Sequence, residues 1–226
     1  MIMKKAINCF IPFENELSTQ STVASLRQNE RVNRIYLLAS STEKNEFAGC
    51  PIIEIDTPNS TETLQKIASA ADTPLTLLYT KTSPLVLGYR ALERMTDYLI
   101  EDKTTLIYSD HYEQKDGELI PHPVIDYQLG SVRDDFDFGS LVLVRTECLK
   151  AYLKQENVNN YQFAGWYDFR LFMSRYGELL HLNEYLYTEV ETDQRKSGEK
   201  NFDYVDPKNR QVQIEMEKVC TEHLKT

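Results

Sequence analysis

The sequence predicts an α/β domain with a mainly parallel central sheet flanked by helices. Short β-branched and aromatic runs alternate with segments of helical periodicity, and four such runs fall in the first 80 residues with helical patterns between most of them. Parallel strands need long crossovers, usually helical, so this rhythm points to a parallel sheet. No Pro/Gly/Ser-rich linker or repeat divides the 226 residues, so one domain spanning 1–226 is expected.

Taken in order, Ala6 to Pro12, Arg34 to Ala39, Pro51 to Ile55, Leu75 to Tyr79 and Thr105 to Tyr108 read as strands. Ser60 is placed to cap a helix whose apolar face is Leu64, Ile67, Ala68 and Ala71. Ser83-Pro84 supplies an N-cap and a first-turn proline before Gly88, Leu92, Met95 and Leu99, which predicts a helix starting there. After Tyr108 comes a polar turn, "HYEQKDGE", then an irregular stretch rich in Asp and aromatics that resumes as a strand at "FDFGSLVLVR". Helices are expected around Glu147 to Gln155 and Gly165 to Tyr176, followed by a strand pair through Leu179 to Leu182 and Leu186 to Val190. The tail is amphipathic through Val212, Met216, Val219 and Cys220 and carries no Gly or Pro stop signal. The expectation is that the natural polypeptide continues, with room for a C-terminal catalytic domain.

A hydrophobic fraction of 41% with 27% charged residues predicts a real core rather than global disorder. The net charge of -10 argues against nucleic acid as a partner, since following a phosphate backbone takes clustered Lys and Arg. A local basic pocket for a small phosphorylated ligand stays compatible with that total. Cys9, Cys50, Cys148 and Cys220 are far apart and form no C-x-x-C, which favours free thiols over a zinc knuckle or redox pair. The apolar run after the two N-terminal lysines is about half of what a spanning helix needs, so a strand, no transmembrane segment and a cytoplasmic protein are expected.

The first glycine is Gly49, so no Gly-rich loop follows the first strand. That excludes the dinucleotide fingerprint, the P-loop and the Gly-rich corner of nucleotidyltransferases, each of which needs backbone to close on phosphate. No G-x-S-x-G elbow is present either.

Five segments, "AINCFIPFENE", "LIYSDHYEQKDGE", "FDFGSLVLVRTECL", "WYDFRLFMSRYGELLHLNEYLY" and "RKSG", together resemble in order and spacing the GT-A fold of family 2 glycosyltransferases. That fold is a Rossmann-like arrangement whose members move a sugar from a nucleotide-diphosphate donor to an acceptor hydroxyl. The resemblance covers most of residues 5 to 200. It implies a nucleotide-sugar donor, a glycan or lipid-linked acceptor, and donor contacts at Pro12, Glu14 and Asn15. It also implies Mg²⁺ or Mn²⁺ across the diphosphate, because hard carboxylates hold such ions. The family's Asp-x-Asp corner, however, is Tyr79-Thr80-Lys81-Thr82 here, and a lysine opposes phosphate as a point charge without holding a cation.

Asp110, with His111 and Glu113 beside it, is the remaining candidate for metal or diphosphate, the alternative being a turn-forming aspartate. Lys81, Arg195 and Lys196, with Lys200, offer positive charge to the diphosphate, or else are solvated loop charges. The family's acceptor base falls on Trp166, which takes no proton, leaving Asp168 as the substitute or as a helix-supporting carboxylate. Asp134, Asp135 and Asp137 lie in the irregular stretch, within reach of a cleft or facing water; His122 and His181 are lone histidines, His181 reading as a half-buried hydrogen-bonded ring rather than a ligand. Two readings follow: a hexose-transferring enzyme, or a catalytically degenerate domain that binds nucleotide or glycan, or scaffolds an active partner.

Overall fold

The computed structural model describes residues 4–99, 103–155, 158–190 and 209–225. In chain order the elements are β1 (Ile7–Pro12), α1 (Glu16–Arg27), β2 (Val32–Ala39), β3 (Glu46–Phe47), β4 (Cys50–Glu54), α2 (Thr61–Ala70), β5 (Leu75–Tyr79), β6 (Leu85–Leu87), α3 (Ala91–Tyr98), β7 (Thr104–Lys115), β8 (Glu118–His122), β9 (Leu141–Arg145), α4 (Thr146–Leu153), α5 (Gly165–Tyr176), β10 (Glu178–Val190) and α6 (Asn209–His223). The strands form one sheet in the order β3-β4-β2-β1-β5-β9-β7-β10-β6, with β8 paired to β7. β1, β2, β4 and β5 are mutually parallel, and β9 reverses against both β5 and β7, so β7 and its parallel partner β10 run the same way as β1.

Period-two alternation divides the sheet into two cores. Ile7, Cys9, Ile11, Leu77, Ile107 and Leu143 pack on the face covered by Val23 and Leu26 of α1 and Leu92 and Met95 of α3. Phe10, Leu78, Leu106, Tyr108, Val142 and Val144 pack on the other, against Leu64 and Ile67 of α2, Leu149 of α4, and Phe169 and Met173 of α5. Of the four cysteines, all free, Cys9, Cys50 and Cys148 are buried; burial drives the Cys9 thiol far up and pushes Cys148 to about 11, so neither is a thiolate near neutrality.

The chain departs from expectation in two places. Ser83-Pro84 opens β6 rather than a helix: Leu85 to Leu87 pair antiparallel with Glu189 to Tyr187, and the Gly88 amide donates to the Leu186 carbonyl at 2.8 Å. A Cβ on Gly88 would meet that carbonyl oxygen at 2.8 Å, so the glycine lets the strand hug β10 before α3 begins three residues on. The outward edge of β6 is satisfied by hydroxyls of α1, the Leu85 amide donating to Thr22 Oγ1 and the Leu87 amide to Ser25 Oγ, both at 3.0 Å. A short edge strand capped in this way offers no free ladder. The expected strand pair after Gly177 is one strand, β10, whose register against β7 shifts on either side of Tyr185. Such bulges absorb the polar Asn183-Glu184 step without ending the strand.

The amphipathic tail is α6, whose Val219 is fully buried against Tyr161, Ala164, Tyr167 and Leu171. Glu215 accepts from the amides of Phe163 and Ala164 at 2.8 and 3.2 Å, capping α5 from a separate helix. Glu222 accepts from Tyr161 Oη at 2.7 Å and Asn159 Nδ2 at 2.8 Å. No helix among the described residues is long and apolar enough to cross a membrane.

Candidate functional site

Ligands gather at the carboxyl ends of parallel strands, where the backbone leaves the sheet and side chains from several loops converge. There, a cleft of about 570 Å³ is floored by Phe10, Leu38, Leu64 and Leu78 and rimmed by Pro12, Glu14, Asp56, Thr80, Thr82 and Trp166. Its size suits a nucleotide-sized ligand. A more open cavity of about 760 Å³ lies at the amino end of β10, between Tyr127 to Gly130 and the end of α5. That end of a parallel sheet presents strand starts rather than the loops where ligands gather.

Pro12 and Glu14 line the cleft, and the neighbouring Asn15 caps α1, its Oδ1 accepting from the Leu17 and Ser18 amides at 2.9 and 3.2 Å. The Tyr79-Thr80-Lys81-Thr82 corner is internally committed. Tyr79 Oη donates to the Ser83 carbonyl at 2.9 Å, the Thr80 amide donates to the Ser140 carbonyl at 2.9 Å, and Lys81 Nζ pairs with Glu189 Oε2 at 2.5 Å. Without a carboxylate of its own, this corner does not fit a hard divalent cation. Among the described residues lining the cleft, none is Lys or Arg, so the ammonium of Lys81, beside its rim and half exposed, is the adjacent positive charge.

Asp110 and His111 were expected to share a metal, but consecutive strand residues point to opposite faces. Asp110 lies on the side of Leu106 and Tyr108. There its Oδ1 accepts from the Val124 amide at 2.9 Å and pairs with His181 Nε2 at 2.8 Å, and His181 Nδ1 contacts Asp126 Oδ1 at 2.7 Å. The His181 ring stacks on Tyr108 at 5.1 Å. Asp110 is 1% exposed, so this Asp-His-Asp chain pins the stretch after β8 onto the sheet. His181, expected as a lone ring, is therefore its centre.

His111 sits on the other side of β7, stacked between His122 at 4.5 Å and Tyr187 at 4.9 Å. His122 Nδ1 lies 3.4 Å from Glu113 Oε1 and its Nε2 3.0 Å from Asp137 Oδ2. Ligand atoms of His111, Glu113 and His122 all fall within 4.8 Å of one another, the arrangement of a candidate metal centre. Burial holds the His111 imidazole below its ordinary pKa. Burial alone would raise the Asp137 carboxyl, but hydrogen bonds from His122 and the Gly139 amide outweigh it and lower the pKa. Gly139 has φ +68, and a Cβ there would lie 2.3 Å from Tyr187 Oη, whose oxygen accepts from the Ser140 amide at 2.8 Å and the Leu141 amide at 3.3 Å.

Asp168 and Trp166 are two residues apart on α5, about 200° around a helix, and so face different ways. Trp166 reaches the cleft, whereas Asp168 Oδ2 accepts from Tyr152 Oη at 2.7 Å on the side where Tyr161 and Glu222 lie. Burial raises the Asp168 pKa despite that hydrogen bond. Asp134 lines a small cavity of about 90 Å³ with Arg170, a fully buried guanidinium held by the Arg133 carbonyl and stacked over Tyr167 and Phe138. Asp135 pairs with Arg133 at the surface. Arg195, Lys196 and Lys200 lie outside the described residues.

His122 was the residue sequence reasoning placed least well, although a signal for it existed. Asp116-Gly117, both at positive φ, form a two-residue hairpin turn that fixes the Lys115↔Glu118 pair, and counting outward along both strands brings His122 opposite His111.

No protein-family model matches the chain, and no curated protein matches it. Solved structures do. Glucosyl-3-phosphoglycerate synthase from Mycobacterium tuberculosis, solved with Mn²⁺, uridine diphosphate and glucosyl-3-phosphoglycerate, superposes with a TM-score of 0.60 over 96% of this chain and 80% of that one, at 12% identity. Residues 1–349 of S. aureus TarS, solved with UDP, match with a TM-score of 0.59 over 82% of this chain and 60% of that one, at 11% identity. A mycobacterial protein matches with a TM-score of 0.54 over 86% of this chain and 70% of that one, at 13% identity. The fold is thus that of the GT-A glycosyltransferases, and at such identities the likeness speaks for the fold alone.

Proposed function

We propose that this chain is a nucleotide-sugar-dependent glycosyltransferase of the family 2 type, working in glycan or polysaccharide synthesis. The observation that carries the reading is the cleft at the ends of β1, β2, β4 and β5, with an apolar floor and Trp166 at its rim, in a fold whose neighbours hold uridine diphosphate. A flat base needs apolar and aromatic surface, which Phe10, Leu78 and Trp166 supply. Glu14 and Asp56 on the rim suit ribose hydroxyls, which donate to carboxylates. The departing diphosphate needs positive charge. In this reading Lys81 provides it from beside Thr80 and Thr82, joined by Arg195 and Lys196 from the segment that follows Val190 in sequence. The Tyr79-Thr82 corner offers no carboxylate to Mg²⁺ or Mn²⁺, so the neutralising charge falls to these side chains. The acceptor, a glycan or lipid-linked hydroxyl, would enter from the Trp166 side. Asp168, the expected base, bonds Tyr152 on the side of α5 turned from the cleft, and supporting α5 is the role its contacts favour.

The second reading, a degenerate domain that binds nucleotide or glycan without transfer, draws on two observations: a corner without carboxylates and a cleft facing Trp166 where a base would stand. Melting temperature followed during titration with UDP-, GDP- and dTDP-sugars, with and without Mn²⁺, separates the two when paired with a sugar-transfer assay. Stabilisation by one donor, lost in Trp166→Ala, together with turnover supports the enzyme. Stabilisation without turnover supports a nucleotide-binding module, and no response to any donor removes the enzyme and favours a glycan-binding or scaffolding domain.

A further inference from the structure

We propose that His111, Glu113 and His122 form a binding site for a divalent first-row transition ion of the zinc type, with the buried carboxylate of Glu189 beside it. The inference does not rest on the transferase reading, although the Lys81–Glu189 ion pair ties the site to the Tyr79-Thr82 corner. The site lies on the face of β7 opposite Asp110, away from the Phe10 and Leu78 floor of the cleft.

Strand register assembles the group. β8, β7 and β10 are neighbours, and His122, His111 and Tyr187 are opposed across them, so three rings fill one row of the sheet. Two residues further along β7, on the same face, Glu113 is opposed to Glu189. Two carboxylates directly across a ladder repel, an arrangement that needs a cation to be favourable. Lys81 answers one oxygen of Glu189 only.

The second observation is a set of buried polar atoms with no partner. His111 is 2% exposed, and among the described residues neither of its ring nitrogens has a hydrogen-bond partner. Glu189 is 4% exposed; its Oε1 likewise has none, although it lies 3.4 Å from His111 Nε2. Buried polar atoms in folded proteins are nearly always paired, because an unpaired one carries its full desolvation penalty. Here one His111 nitrogen lies within 4.8 Å of the Glu113 and His122 ligand atoms, with the Glu189 oxygen beside the His111 ring. A metal ion bound there takes the lone pair of one His111 nitrogen together with donor atoms of Glu113 and His122.

The donor set selects the ion. Two imidazoles with carboxylates suit zinc and its first-row neighbours, whereas Mg²⁺ prefers oxygen alone. Asp137 completes the design without being a ligand: its Oδ2 meets His122 Nε2 at 3.0 Å, and its Oδ1 accepts from the Gly139 amide at 2.7 Å. A carboxylate on the far nitrogen fixes tautomer and ring orientation, leaving His122 Nδ1, which faces Glu113, to bind metal.

Calorimetric titration of chelator-stripped protein with Zn²⁺, and separately with Mg²⁺, tests the assignment, with Co²⁺ as an absorbing stand-in. We expect one Zn²⁺ per chain, no comparable Mg²⁺ binding, and d–d absorption from bound Co²⁺ that Zn²⁺ abolishes. His122→Ala changes a half-exposed hairpin residue and should remove Zn²⁺ binding, while its urea midpoint in chelator stays near that of the unaltered chain. Asp137→Asn should weaken binding by about 10- to 100-fold, as loss of an orienting partner does. Absence of one-to-one Zn²⁺ binding by the unaltered protein overturns the proposal. So does binding that survives intact in both His122→Ala and Glu113→Gln.

Discussion

Gly139→Ala is the most informative single change in this molecule. The residue sits at φ +68, so a side chain there adopts the left-handed region at a cost of about 1 kcal/mol. Its Cβ would lie 2.3 Å from Tyr187 Oη, well inside contact distance, and 3.4 Å from His111 Nδ1. The phenol has to move, and its oxygen then abandons the Ser140 and Leu141 amides, at about 1 kcal/mol for each lost hydrogen bond. Displacing a ring stacked on His111 at 4.9 Å adds the usual price of overpacking, about 1–3 kcal/mol. The sum is about 4–6 kcal/mol. Gly117→Ala provides the internal reference, because that glycine also has positive φ, +84, but has nothing within 4 Å of the added carbon. Its expected cost is the backbone strain alone, about 1 kcal/mol. Equilibrium urea unfolding of the two variants, analysed with a common slope, reads the difference directly. If they differ by less than about 1 kcal/mol, the packing of Gly139 under Tyr187 is not the constraint described above.

Three further outcomes follow from other parts of the fold. His181→Ala should destabilise by about 3 kcal/mol, since it strips the 1%-exposed Asp110 of one of its two partners; a loss under about 1 kcal/mol in urea would mean the Asp-His-Asp chain does not pin the stretch after β8. Asp168 has a pKa raised by burial, so its contribution to stability is complete below the unfolded value of about 3.9 and is lost as pH rises through the higher folded value. The stability of the unaltered chain relative to Asp168→Asn should therefore fall across that window, and a difference that stays flat with pH contradicts the assignment. Thr22→Val removes the hydroxyl that receives the Leu85 amide and should cost about 1–2 kcal/mol, with faster amide exchange at Leu85 as the local signature; unchanged exchange there would show that the edge is protected otherwise.

The strands of the first half were legible because their apolar runs are long enough to be buried on both faces, and Ser60 does cap α2, accepting from the Thr63 amide at 3.1 Å. Ser83-Pro84 misled because the same two residues that start a helix also suit the entrance of an edge strand, where proline's missing N–H does no harm. Only the need of β10 for a partner on that side decided between them. Pro12 and Glu14 could be set beside the cleft from their place at the end of β1 and just past it, whereas the direction of Asp168 depended on helix phase relative to a cleft no sequence displays. The His111 and His122 pair required strand register, and Lys81 found its carboxylate 108 residues away. Long-range pairings of that kind leave no trace in local pattern.

Because β9 runs against its neighbours, it begins at Leu141 beside Tyr79, where β5 ends. The chain between β8 and β9 is thereby delivered to the mouth of the sheet, whatever its length. Residues inserted or deleted there would leave the ladders beneath in register only if they spared the anchors at Val124, Asp126 and Phe138, which hold this connection against Asp110, His181 and Tyr108.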